Sequence, residues 1–518
     1  METLEAPGRF DSVTKVPPRS EDHDATPVPD YSARQRPLVE FRAQPRRLKT
    51  HPAEQAVLAV VTAHLVFLPW ALGTMRPWAQ FISAALALVG IALALLPRDY
   101  TGEHTATEPF RLHPWPKLIR FPIFWIGLAL LGYVAAQGLN PAWAYRTDGK
   151  NWWMAAIPHC AWLPTGVSAP FENWNQWRLL LIYASAWLTV CTIWIAFTRR
   201  RTLRHLLIIV ALNGTLLALF GVLQQKLGNG KIFSVVVSPS LWSFASFIYK
   251  NHAGAYLILT LAVAGGLAGW YHVRGMRRLE KSDPGVVFLF FAICIAAGVI
   301  ASLARGATVA MGGLVFAGAA AFAFQQWRAP RAARRPIVTA AMLLFFGAFL
   351  AAGVFALRFD AALNRLLRGV TQQDTALHSR QLATTAALEM LDDHWVRGVG
   401  AGSFRFLFTV YQSRHLDLLV SNGEQRYWEH AHNDLVQFPI ELGAVGTGLL
   451  LLAGGYWTRR LWHDRFWVNP ISLAAIAGVL LTLAGAWWDF PFQCPAILVT
   501  WCVLWAAAAM WPRFGEKT

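Results

Sequence analysis

The strongest constraint on this chain is a series of apolar runs, each about 20 residues long, separated by polar or basic connections. Twenty helical residues rise about 30 Å, the depth of a bilayer's hydrocarbon core, where every backbone polar group must be satisfied internally. The runs fall near residues 55–72, 78–96, 119–137, 178–197, 203–225, 251–270, 286–303, 307–324, 336–357, 432–456, 471–488 and 491–510. They predict an all-α, polytopic integral membrane protein with about 12 transmembrane helices. Composition agrees, because 55% hydrophobic and 14% charged residues would be too apolar for a soluble chain of 518 residues.

Charge in the connections sets the expected orientation. Alternate loops carry Arg199, Arg200, Arg201 and Arg204; Arg274, Arg277, Arg278 and Lys281; Arg328, Arg331, Arg334 and Arg335; and Arg459, Arg460 and Arg465. By the positive-inside rule these loops and both termini face the cytoplasm. The net charge of +17 is therefore read as membrane topology, with anionic membrane lipids as its partner and no nucleic acid. Residues 1–50 are polar and rich in proline, and are expected to form a disordered cytoplasmic tail rather than a cleavable signal. The expected domains are this tail, a membrane domain over 51–357, a long periplasmic loop over 358–430 and a second membrane domain over 431–512. The five cysteines, Cys160, Cys191, Cys294, Cys494 and Cys502, have no CxxC or zinc spacing.

The polar residues that remain collect on the opposite, outer side. Glu429-His430-Ala431-His432-Asn433-Asp434 stands where an apolar run begins, a costly place for ionisable groups. Histidine titrates near neutral pH, so a histidine acting as general base suits this cluster, with Asn433, Asp434 or Glu429 orienting the ring. The bland alternative is a wetted helix end. A metal site fits less well, because positions two apart diverge on a helix while zinc helices use i and i+4; no metal and no cofactor are expected. Tyr249-Lys250-Asn251-His252 opens another run, where Asn251 reads equally as a cap of the first turn. Arg305 sits in a tight outer turn, either as a snorkelling arginine or as a pointer to an anionic ligand. Residues 374–393 have helical spacing that puts Arg380 and Thr384 on one face. The glycines of Arg397-Gly398-Val399-Gly400-Ala401-Gly402 read as a flexible turn leading to an interfacial helix over 404–411. The Trp-rich loop 138–177 admits interfacial anchoring or stacking on sugar rings.

Four stretches, in order, resemble the O-antigen ligase superfamily of membrane glycosyltransferases. They are Tyr249-Lys250-Asn251-His252 with Ala255-Tyr256-Leu257; Ser302 to Arg305; Ser379-Arg380 leading to Gly398-Val399-Gly400; and His430-Ala431-His432-Asn433 leading to Glu441-Leu442-Gly443-Ala444-Val445-Gly446. The resemblance covers about residues 240–450 and leaves out the tail and the Trp-rich loop. It implies a GT-C-like scaffold in the bacterial inner membrane, with a periplasmic active site working without metal. It implies a glycan donor on undecaprenyl diphosphate and an inverting transfer. Arg305 and Arg380 would bind the donor diphosphate, and His432 would take the proton of the acceptor hydroxyl. Lys250 stands where relatives often carry arginine or proline near the Asn, and would serve the phosphate. Asn251, His252, His430, Asn433 and Asp434 would support the site. Fixed positive charge suits a departing diphosphate, and a base of matched pKa suits the acceptor. Chemistry alone leaves His430 and His432 open; the His-Asn pair favours His432.

Three acceptors stay open: lipid A core, the end of another glycan as in a polymerase, or a protein hydroxyl as in an O-oligosaccharyltransferase. Ligase or polymerase of surface polysaccharide, including lipopolysaccharide, is preferred. From other classes, a transporter or flippase would show related halves and broken midplane helices, whereas here one large outer loop breaks any symmetry. A non-catalytic envelope protein would look similar.

Overall fold

In the computed structural model, the described residues are 49–105, 108–227, 229–238, 243–278, 283–328, 347, 375–418 and 427–515. The expected tail, apart from residues 49–50, and the expected run 336–357, apart from residue 347, lie outside them. Each of the other runs coincides with a helix. These are α1 (Pro52–Trp70), α2 (Pro77–Ala94), α4 (Pro122–Leu139), α5 (Gln176–Ala196), α6 (Arg200–Leu227), α7 (Lys250–Arg278), α8 (Gly285–Ala301) and α9 (Arg305–Arg328). After the long loop come α12 (Asp434–His463), α13 (Pro470–Gly485) and α14 (Pro495–Met510). Eight described helices are long and apolar enough to cross a membrane, while α8 and α13 are shorter apolar helices. Five of these helices begin with proline, which is preset for a first turn where its missing N–H costs nothing.

A buried apolar cluster runs through this bundle from Val57 and Leu65 of α1 to Leu206, Leu257, Ile295 and Val503. One end is locked by a buried carboxylate. Glu54 is fully buried and accepts bonds from Thr202 Oγ1 at 2.5 Å, Thr198 Oγ1 at 2.7 Å and Tyr100 OH at 3.0 Å. Arg98 Nη1, also buried, donates to the Ala196 carbonyl at 3.1 Å where α5 ends. These contacts satisfy charge that burial would otherwise make costly.

The loops are more ordered than their composition suggests. Strands β1 (Arg98–Tyr100) and β2 (Phe110–Leu112) pair antiparallel beside the short helix α3 (Pro114–Ile119). The Trp-rich loop forms a sheet of β3 (Pro141–Thr147), β4 (Trp152–Ala156) and β5 (Gly166–Ser168) in the order β4-β3-β5. An all-α reading misses it. Asp148 makes the β3–β4 turn, its Oδ1 accepting from the Lys150 and Asn151 amides at 2.8 and 2.6 Å. Antiparallel pairing sets Tyr145 opposite Met154 and Thr147 opposite Trp152.

The expected helix in the long loop is α10 (Thr375–His394), followed by α11 (Phe404–Gln412). Rather than lying free at an interface, α11 buries Phe404 and Phe408 fully, in a cluster with Ala387 of α10 and Ile440 of α12. The expected flexible turn between α10 and α11 is instead stitched to a break in α12. Pro439 lacks a backbone donor, and Gly443 takes φ 62°, so the helical ladder fails there. The turn replaces it: Val399 N donates to Ile440 O at 2.9 Å, Gly400 N to Glu441 O at 3.0 Å, and Ala444 N to Val396 O at 3.1 Å. Backbone packs so closely that a Cβ on Gly398, at φ 70°, would stand 2.4 Å from the Glu441 carbonyl oxygen.

Gly398→Ala should therefore destabilise by at least about 1–3 kcal/mol, from left-handed strain plus a backbone clash. A lower midpoint in a thermal melt of the detergent-solubilised protein checks this. Gly132→Ala, where an added Cβ meets nothing within 4 Å, is the control and should melt as the wild type does.

Candidate active site

The site forms where α7, α10 and α12 meet the turn between α13 and α14. Its centre is Asp489-Phe490, at the tip of that turn. Asp489 Oδ2 accepts from Asn251 Nδ2 at 2.5 Å, and its Oδ1 lies 3.6 Å from His432 Nδ1. Tyr249 OH stands 3.5 Å from Asp489 Oδ1 and accepts from Arg380 Nη2 at 3.1 Å and from Asn251 Nδ2 at 2.7 Å. Arg380 Nη1 reaches the Trp488 carbonyl at 3.4 Å. Asn251 thus bridges a phenol and a carboxylate instead of capping α7.

Phe490 gathers the aromatic groups around it. Tyr249 stacks on its ring at 5.3 Å between centroids, and His430 stacks at 4.6 Å. His252 and His432 meet it edge-on at 5.0 and 4.7 Å, and His252 Nε2 also lies 3.2 Å from the Phe490 carbonyl. Trp428 closes the other side of His432 at 5.5 Å.

The two histidines of the motif differ sharply in setting. His430 is buried, with Nδ1 3.3 Å from Gln437 Nε2 and Nε2 3.4 Å from Arg405 Nη2. Burial first, then the positive charge of Arg405, holds its pKa well below the usual imidazole range, so it stays neutral. His432 keeps a fifth of its side chain exposed and sits at φ 52°, a left-handed conformation that costs an L-residue about 1–2 kcal/mol. Its Nδ1 faces Asp489.

Asp489 is an anion at neutral pH. Burial alone would raise its carboxyl, but the contact from His432 and the positive charge of Arg380 outweigh that and push it down to about 2. The Tyr249 phenol moves the opposite way, raised by burial and then by the charge of Asp489, and remains a neutral hydroxyl.

Supporting bonds fix the motif. Asn433 caps α12, its side chain accepting from Val436 N. Asp434 accepts from Phe492 N at 2.8 Å and from Gln493 Nε2 at 3.1 Å, tying the start of α12 to the Asp489 turn. Gln437 Oε1 accepts from Ala431 N at 3.0 Å, and its Nε2 donates to Glu441 Oε1 at 3.0 Å. Glu441 Oε2 in turn accepts from Gly402 N at 3.0 Å, just before α11. Lys250 opens α7 beside Asn251. Arg305 is exposed and opens α9, which meets α7 where a Cβ on Gly254 would lie 2.6 Å from Ala307 Cβ, one turn from Lys250 and Asn251.

The structure thus joins His252, Asn251, Arg380, His430 and His432 through the Asp489 turn. Asp489 was the residue missed. Its signal was available, since it is the single acidic residue between Arg465 and Gly515, held in an aromatic turn between two apolar runs. Among the described residues, no group of three His, Cys, Asp or Glu side chains is placed to hold a metal ion.

Apolar helices of this number define a multi-pass membrane protein, with a histidine–carboxylate pair at the helix ends. A family model described as O-antigen ligase matches residues 289–451, which supports the O-antigen ligase superfamily and suggests a membrane glycosyltransferase. The matched stretch contains Arg305, Arg380, His430 and His432, and ends before Asp489. No curated protein matches the chain.

Asp489 titrates lower folded than the ordinary 3.8, so its contribution to stability is complete above that value and is lost as pH falls towards about 2. Asp489→Asn should remove that contribution. The stability difference between wild type and variant, followed by acid unfolding, is expected to be constant at neutral pH and to shrink between about pH 4 and pH 2.

Proposed function

We propose that the chain transfers a glycan from a lipid diphosphate, of the undecaprenyl type, to an acceptor hydroxyl at the outer face of the inner membrane. The pairing of His432 with Asp489, beside Arg380, is the observation that carries this reading. His432 Nε2 takes the acceptor's hydroxyl proton as the acceptor oxygen bonds to the anomeric carbon. The bond from that carbon to the diphosphate oxygen breaks on the opposite side, inverting the centre, and its electron pair leaves on the lipid diphosphate. Asp489 stabilises the imidazolium as it forms. Arg380, Arg305 and Lys250 hold the diphosphate and its growing negative charge, so the scheme needs no metal.

The remaining polar residues position these groups. Asn251 and Tyr249 link Asp489 to Arg380, so base and anion site are held by one hydrogen-bonded unit. His252 and neutral His430 pack on Phe490, while Asn433 and Asp434 anchor the segment that presents His432. The acceptor is lipid A core or the end of another surface glycan, with a protein hydroxyl as the further alternative. The face assignment follows from the basic loops, which lie on connections alternate to those carrying Lys250, Arg305 and His432.

His432→Ala is expected to lower kcat by about 10²–10⁴-fold while leaving membrane abundance unchanged, as the loss of a general base would. Wild-type turnover in that variant would refute the assignment. Arg380→Lys and Arg305→Lys should also be impaired, because a point charge cannot replace a planar fork. Transfer should persist in EDTA. Gel analysis of surface polysaccharide after gene deletion distinguishes the acceptors: uncapped core, shortened chains or missing glycoprotein each points to a different one.

A further inference from the structure

Away from the Asp489 turn, the start of α6 meets the ends of α7 and α14 on the side of the basic loops. Two tryptophans join them there: the rings of Trp270 on α7 and of Trp511, just past α14, meet edge-on at 5.5 Å. Three arginines lie against these rings. Arg200 stands 5.2 Å over Trp511 and donates from Nη2 to that residue's carbonyl at 3.3 Å, so it caps the end of α14. Arg204 of α6 and Arg274 of α7 share the other ring, with Cζ 5.8 and 5.3 Å from the Trp270 centroid. Both distances fall within cation–π range.

This sharing leaves positive charge without a counter-ion. Among the described residues, neither Arg204 nor Arg274 forms a hydrogen bond or an ion pair, and Arg204 Nε is buried without a partner. The carboxylates of this end are engaged elsewhere: Asp283 with His272 at 2.9 Å, Asp464 with Arg513 at 3.0 Å, and Glu54 with hydroxyls. An indole attracts a guanidinium through its quadrupole but carries no charge to neutralise two of them. Like charges on one ring repel unless an anion joins them. A phosphate suits the pair, because planar guanidinium forks match its oxygens. Depth chooses its source. Arg204 lies four residues inside the start of α6 and Arg274 four residues inside the end of α7, about 6 Å along each axis. That is about the thickness of one headgroup layer, where tryptophan also collects.

We propose that Arg204 and Arg274, backed by Trp270, hold the phosphate of an anionic phospholipid in the leaflet on the side of the basic loops, the cytoplasmic side by the positive-inside rule. The site differs from the diffuse attraction of a basic loop for an anionic membrane, because two helices and one ring fix its geometry. It binds a net negative headgroup in preference to a zwitterionic one, whose ammonium would face the same two cations. It stands apart from the chemistry proposed at His432: Asn251 lies at the other end of α7, about 34 Å along the axis from Arg274.

Native mass spectrometry of the detergent-solubilised full chain reads the apparent Kd for the first lipid bound. The probes are dioleoyl phosphatidylglycerol, dioleoyl phosphatidylcholine and inorganic phosphate. The variants are Arg204→Gln, Arg274→Gln, the two combined, and Arg201→Gln, which removes an exposed charge from the same helix end. Wild type is expected to bind phosphatidylglycerol about 25-fold more tightly than phosphatidylcholine. Its Kd for phosphatidylglycerol should rise about fivefold in each single variant and about 25-fold in the double one, while Arg201→Gln binds as wild type does. Equal affinity of wild type for the two lipids overturns the proposal, as does an unchanged Kd in the Arg204 and Arg274 variants. An equal loss in Arg201→Gln overturns it in favour of diffuse attraction. Displacement of bound phosphatidylglycerol by millimolar phosphate assigns the arginines to a free anion and overturns the lipid source. Should the double variant not fold, the single variants decide by the same criterion.

Discussion

Everything at the candidate site depends on a helix that is deliberately incomplete. α12 loses its ladder between Pro439 and Gly443, and in a membrane-spanning element the freed backbone groups must find partners within the protein. They find them in residues 396–400, which pair with it almost as a strand would. The exchange is reciprocal: the carbonyl of Ile440 loses the Ala444 amide and gains that of Val399. Through this knot the long loop is fastened to the helix that begins at the histidine motif. The Glu441 side chain reinforces it from one side by receiving the Gly402 amide, and Gln137 of α4 from the other by donating to the Glu441 carbonyl.

The knot explains why residues far apart in the chain share one centre. α10 brings Arg380, α7 brings Asn251 and His252, and the loop before α12 brings His432. The Asp489 turn receives all of them. Its ring organises the packing and its carboxylate organises the charge. Asp434, by accepting from Phe492 and Gln493, keeps the turn in register with the histidine motif. The proposed base His432, the Asp489 carboxylate and Arg380 are then held by contacts that exist before any substrate arrives, the condition under which electrostatic stabilisation is most effective.

Much of this was legible. Length and apolarity marked the helices, because hydrocarbon leaves the backbone few alternatives. The helix carrying Arg380 followed from side-chain spacing. The β3–β4 hairpin was readable too, since an Asp148-Gly149 turn between alternating Trp, Tyr and Thr residues is a strong hairpin signal. The high tryptophan content drew attention to interfaces instead. The glycines from Gly398 to Gly402 were misread as flexibility. What they provide is close backbone approach, and that depends on a partner more than 40 residues away which no local pattern reveals. Asp489 escaped for the same reason, as its meaning comes from contacts with α7, α10 and the histidine motif.

The left-handed backbone of His432 has a consequence beyond catalysis. Glycine or asparagine would occupy that conformation with less backbone strain, but would give up the ring's packing on Phe490 and Trp428 and its contact with Asp489. On the role proposed for His432, relief of backbone strain and turnover pull against each other at that position, and selection for relief of that strain alone would drift away from histidine there and lose the chemistry.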